Sequence, residues 1–89
     1  MCTMIAKQVE VAGTGKGATG WFNVRQANIS YDHPFKAPYE YALNIDFVNE
    51  ALGVEARVAV ELTEKSARAL VDTILAVLSQ AESGGFLEK

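Results

Sequence analysis

Cysteine occurs once in this chain of 89 residues, at Cys2, so no internal disulfide can form, which fits a reducing, cytoplasmic compartment. Basic residues are few and scattered. Lys7, Lys16, Arg25, Lys36, Arg57, Lys65, Arg68 and Lys89 form no cluster, and the net charge is −3 with a pI near 5.0. A nucleic-acid partner needs a concentrated basic surface to displace counterions from phosphates, so none is expected. No apolar run approaches the roughly 18–20 residues that span a bilayer, and the N-terminus lacks a basic region followed by a long apolar core, so no membrane partner is expected either. Histidine also occurs once, at His33. A metal site normally needs three or four converging ligands, and one His with one Cys does not supply them; no cofactor is expected.

What is present is enough for one small core. Apolar residues make up 49 % and charged residues 21 %, the range of folded chains, and 89 residues imply a single domain over 1–89. The organising stretch is Tyr39 to Val48, in which Tyr39, Tyr41, Leu43, Ile45 and Phe47 alternate with Glu40, Ala42, Asn44, Asp46 and Val48. Period two with branched and aromatic residues on one side predicts an interior β-strand.

Three further strands follow from the same pattern. Thr3 to Ala12 places Ile5, Val9 and Val11 on one side, with Lys7 intruding, and Val54 to Leu62 places Val54, Ala56, Val58, Val60 and Leu62 on one side. Trp21 to Tyr31 changes phase between Phe22 and Val24 and the later Ala27, Ile29 and Tyr31, which predicts a β-bulge near Arg25 or Gln26. Gly13 to Gly20 carries four glycines in eight residues and is read as a hairpin loop. Both prolines of the chain fall in Asp32 to Pro38, which is read as a connection.

Thr63 reads as a helix N-cap followed by Glu64, and Ala67, Leu70, Val71, Ile74, Leu75, Leu78 and Ala81 then recur at three- and four-residue spacing up to Gly84-Gly85. The expected fold is therefore α+β: a four-stranded antiparallel meander with one C-terminal helix, 64–82, packed on the face of Val9, Val11, Phe22, Val24, Leu43, Ile45, Val58 and Val60. The opposite face would carry Met4, Ala6, Gln8, Trp21, Asn23, Ala42, Asn44, Asp46, Val48, Arg57 and Ala59. Its small residues beside Trp21 suggest a surface that something covers, and a homodimer through this face or an edge strand is the expected assembly. The tail Phe86-Leu87 either frays or folds back on the sheet or a partner subunit.

Candidate chemistry is sparse, and each feature has a plain structural reading beside it. His33 next to Asp32, with Tyr31 adjacent, could serve as a general base or ligand, its tautomer set by the carboxylate; an exposed or structural histidine is the simpler reading. Asn44, Asp46 and Arg57 share a face and, with Trp21, His33 and Asp32, form the candidate ligand-binding set, although a cross-strand ion pair between Asp46 and Arg57 is the preferred reading of those two. The glycines around Lys16 lack the Gly-x4-Gly-Lys-Ser/Thr spacing of a phosphate loop and lead into a strand rather than a helix. If Met1 is removed, Cys2 would combine a thiol with a free amine. Met-Cys-Thr resembles the start of N-terminal nucleophile hydrolases such as bile-salt hydrolases, but that resemblance covers three residues and implies a sandwich far larger than this chain; Cys2 is read as a terminal or packed thiol.

A second resemblance spans nearly the whole sequence. The opening Met-Cys-Thr-Met-Ile, the segment Gly15 to Phe22, the string Tyr31-Asp32-His33-Pro34-Phe35 and the run Ala42 to Asn49 resemble a family of short bacterial proteins of unknown function. It implies no activity, cofactor or catalytic residue. Two function classes follow from the residues: a non-catalytic binding or interaction module whose partner is itself, another protein or a small ligand, and alternatively a small enzyme or metal-dependent accessory protein using His33 with Asp32.

Overall fold

The glycine-rich segment proves to be the end of a strand. In the computed structural model, which describes residues 5–87, β1 (Ile5–Gly17) and β2 (Gly20–Asp32) form a long antiparallel hairpin closed by Ala18 and Thr19, with Gly17 paired to Gly20. Gly20 has a φ of +128°, a conformation that side chains rarely adopt. Gly15 and Gly17 are needed for a different reason. A Cβ on Gly15 would lie 3.1 Å from Val24 Cγ2 and 3.6 Å from Val58 Cγ2; one on Gly17 would lie 3.4 Å from the carbonyl oxygens of Glu55 and Arg57. The hairpin therefore curls until its β1 edge meets the far edge of the sheet, and glycine permits that approach.

The remaining elements are β3 (Ala42–Val48), a 3₁₀ turn (Glu50–Leu52), β4 (Arg57–Leu62) and α1 (Glu64–Ser83). The strand order is β1-β2-β3-β4, all antiparallel, so the meander and the α+β class are as expected. Directly paired residues point to the same side of a sheet, and the register defines each face. One face has the rows Ile5–Tyr31–Leu43–Leu62, Lys7–Ile29–Ile45–Val60 and Val9–Ala27–Phe47–Val58. The other has Ala6–Ser30–Asn44–Glu61, Gln8–Asn28–Asp46–Ala59 and Glu10–Gln26–Val48–Arg57. Apart from Lys7 the first face is hydrophobic or aromatic, while the second is largely polar.

The bulge expected near Arg25 or Gln26 of β2 lies instead on the strand opposite, in β1. Glu10 pairs with Gln26 and Gly13 with Val24, leaving Val11 and Ala12 of β1 opposite Arg25 alone. That two-against-one arrangement is a bulge in β1, and across it Val24 and Ala27, three residues apart, are both buried.

Two strands are shorter than their periodicity suggests. Tyr39 and Tyr41 precede β3, in a connection shaped by the two prolines, and Val54 precedes β4. The β3–β4 link is organised by Asn49, a buried polar residue whose Oδ1 accepts from Ala51 N at 3.1 Å and whose Nδ2 donates to Asn23 O at 2.9 Å. With Asn49 N bonded to Ala56 O and Gly53 at φ +97°, the chain turns through 49–56 before it can pair again. Val54 alternates in phase with β4 but is left 92 % exposed.

The helix matches its expected limits, with Thr63 Oγ1 accepting from Ser66 N at 3.1 Å. At its C-terminus Gly85, at φ +76°, lets Phe86 N reach back to Ala81 O, a Schellman-type stop; Phe86 and Leu87 stay exposed. What differs from expectation is the cover. No residue of α1 is buried, and its close approaches to the sheet fall mainly on β3. Among the described residues the buried apolar ones are accordingly few and small: Val24, Ala27, Ala42 and Ala56. Cys2 and Met4 lie outside the described residues.

Candidate functional site

On the polar face, the connection 33–41 folds over the end of β2, β3 and β4 to form a shallow cavity of about 250 Å³. Five of the six sequence-predicted residues line it: Asp32, His33, Asn44, Asp46 and Arg57. Trp21 does not. It sits near the hairpin tip opposite Lys16 and is 71 % exposed.

Most of the charged and aromatic groups around the cavity already have partners within the chain. Arg57 donates to Asp46 Oδ1 through Nε at 3.1 Å and Nη2 at 2.9 Å. Both side chains are solvent-accessible, so the pair contributes at most about 1 kcal/mol. Asp32 Oδ1 accepts from His33 N at 2.7 Å. His33 Nδ1 lies 2.8 Å from the Glu40 carbonyl oxygen, which can only accept, so the ring proton sits on Nδ1. The imidazole also stacks on Tyr41 at 4.9 Å, and Tyr41 in turn on Tyr31 at 6.0 Å. Asn44 Nδ2 donates to Ala42 O at 3.3 Å, whereas its Oδ1 is buried without a partner. Among the described residues no group of three or more His, Cys, Asp and Glu is arranged to hold a metal ion.

Glu61 was not singled out by the sequence, yet it orders this region. Its carboxylate accepts the amide protons of Ala37 at 2.7 Å, Phe35 at 2.5 Å and Lys36 at 3.0 Å, three successive donors of the proline-containing connection. These amides, Ala37 first, hold the Glu61 carboxyl below its ordinary value of 4.5. Only its polar-face register marked it in the sequence, and most residues in that register are charged or polar.

The apolar side is the reverse. Leu70, Val71, Ile74, Leu75, Val77 and Leu78 of α1 are all exposed, from 43 % at Leu70 to 60 % at Leu75. Beneath the curled hairpin the apolar face opens into a cleft of about 370 Å³ between Val11, Val24, Phe47 and Val58. Apart from Val77, which the spacing did not include, the sequence marked these residues as a core-forming stripe and face that cover each other.

The family described as "Family of unknown function (DUF6295)" matches residues 1–87. The chain belongs to this family. The match agrees with the resemblance seen in the sequence and extends through the helix to the tail. No curated protein and no solved structure matches the chain. Among the described residues no helix of this DUF6295 protein is long and apolar enough to cross a membrane.

Proposed function

We infer that this member of the DUF6295 family is a non-catalytic interaction module that acts as a homodimer in the bacterial cytoplasm. One observation carries the reading: a helix of 20 residues with a continuous hydrophobic stripe and no buried residue. Helices of this kind owe most of their stability to packing of the apolar face, not to propensity, and soluble monomers rarely leave so large a contiguous apolar surface open.

The polar cavity supports the same reading by contrast. Asp46 answers Arg57, Glu61 answers three amides, and His33 answers Glu40, so these groups serve the fold before they serve a ligand. The single cysteine fits a reducing compartment.

The experiment is sedimentation equilibrium over a micromolar concentration series on wild type and His33→Ala. The expected result is twice the chain mass of 9.6 kDa for both. Monomers throughout would overturn the dimer. An activity of the wild type that is lost in a folded His33→Ala chain would overturn the non-catalytic reading.

A further inference from the structure

We propose that α1 of one copy lies across the apolar sheet face of a second copy, each chain lending its helix to the other. This rests on the homodimer reading and specifies its interface.

The surface area argues for a partner of this size. A folded monomer of 9.6 kDa should expose about 5,100 Å² by the usual scaling with mass, whereas this chain exposes 7123 Å². The excess is roughly 2,000 Å², well above the ~800 Å² that each partner contributes to a stable interface. The Cα radius of gyration, 14.9 Å, likewise exceeds the ~12 Å of a compact chain this long.

The chemistry argues for a second copy. Each chain leaves two apolar surfaces open, one on the helix and one on the sheet, and each is what the other lacks. At ~100° per residue, Val77, Leu70, Ile74, Leu78, Val71 and Leu75 cover roughly 160° of arc, wider than a stripe that merely edges a sheet. Twenty residues make a helix about 30 Å long, while four strands at ~4.8 Å spacing are about 14 Å across, so one helix spans the whole face. Pairing of two helices alone would leave both sheets uncovered. A reciprocal exchange about a two-fold axis covers all four surfaces with one contact type.

The connection argues against cover within one chain. Only Thr63 separates β4 from α1, and it is held extended at φ −67°, ψ 158° as the N-cap that bonds Ser66 N. With so short a link α1 leaves the sheet directly from β4, and its close approaches to that sheet fall mainly on β3.

The test uses Ile45, at the centre of the apolar face, and Ile74, at the centre of the stripe. Ile45→Cys and Ile74→Cys are made separately in full-length Cys2→Ser chains, checked for native circular dichroism, refolded together in equal amounts and mildly oxidised. The expected product is the mixed disulfide, several-fold above either homodisulfide. Three results would overturn the exchange: only the Ile74–Ile74 product; capture of Ile74→Cys by Ser30→Cys on the polar face instead of Ile45→Cys; or closure within a single chain carrying both cysteines at high dilution. Isotope-filtered NOEs between the Ile45 and Ile74 methyls of mixed labelled and unlabelled wild-type chains give the answer without substitution; intermolecular NOEs are expected, and their confinement to one chain overturns the exchange. If the protein sediments as a monomer the dimer reading itself fails; if it is a dimer with a different crosslink, only this arrangement does.

Discussion

The two faces of the sheet solve opposite problems. On the polar face the side chains satisfy one another: Asp46 with Arg57, Gln26 with Asn28, and Glu61 with the amides of Phe35, Lys36 and Ala37. On the apolar face Ile5 and Val9 are exposed and Ile29, Leu43, Ile45, Phe47, Val58 and Val60 are only half-buried, and the stripe of the helix that should cover them is exposed. A polar group can be content with water or with a neighbour at 3 Å, but an apolar surface is relieved only by area. The contrast teaches that the conspicuous polar cluster is part of the scaffold, and that the unfinished side is where a partner is needed.

The largest effect should come from placing a charge on the unfinished side. Ile74→Asp is expected to weaken self-association at least about 100-fold, as seen when a central apolar anchor is lost from an interface, and sedimentation equilibrium reads it directly. Next comes the curl that shapes that face. Gly15→Leu forces a branched side chain between Val24 and Val58, where even a Cβ is tight, and should cost about 1–3 kcal/mol in urea unfolding by overpacking.

Effects on the polar face should be smaller and should leave the mass unchanged. Glu61 is held ionised by backbone amides, so its folded pKa lies below that of the unfolded chain. Its contribution is therefore complete above about pH 4.5 and is lost as the pH falls through the lower folded value. The amide resonances of Phe35, Lys36 and Ala37 should titrate together below pH 4.5, and Glu61→Gln should remove that titration. Smallest of all, Arg57→Ala should shift stability by less than about 1 kcal/mol, because the ion pair it breaks is solvent-screened. A loss of self-association in Arg57→Ala would reverse the assignment of the two faces.

Periodicity made much of this legible. The helix limits, the meander and the membership of both faces follow from alternation and from Thr63 and Gly84-Gly85, because those signals are local. The glycine segment misled because glycine marks close approach as well as turns: Gly15 and Gly17 lie in a strand that meets β4, a contact between distant parts of the chain. Tyr39 and Val54 alternate correctly but have no strand opposite them, since the prolines on one side and Asn49 on the other set where pairing starts. At the cavity, the sequence marked Asp32 with His33 on the connection and Asn44, Asp46 and Arg57 on one sheet face, but it could not show that the two groups meet or that Glu61 binds amides 24–26 residues away. Nor does a hydrophobic stripe say whose sheet it will cover.

The most direct test of whether another molecule supplies that cover is thermal unfolding of the helix signal at 222 nm across a hundredfold dilution. Cover from a second copy links folding to concentration by about 2.7 kcal/mol over that range. The midpoint should then rise by roughly 5–10 °C from the most dilute to the most concentrated sample. A midpoint that does not move, from a chain that stays monomeric, would mean that the helix finds its cover at home.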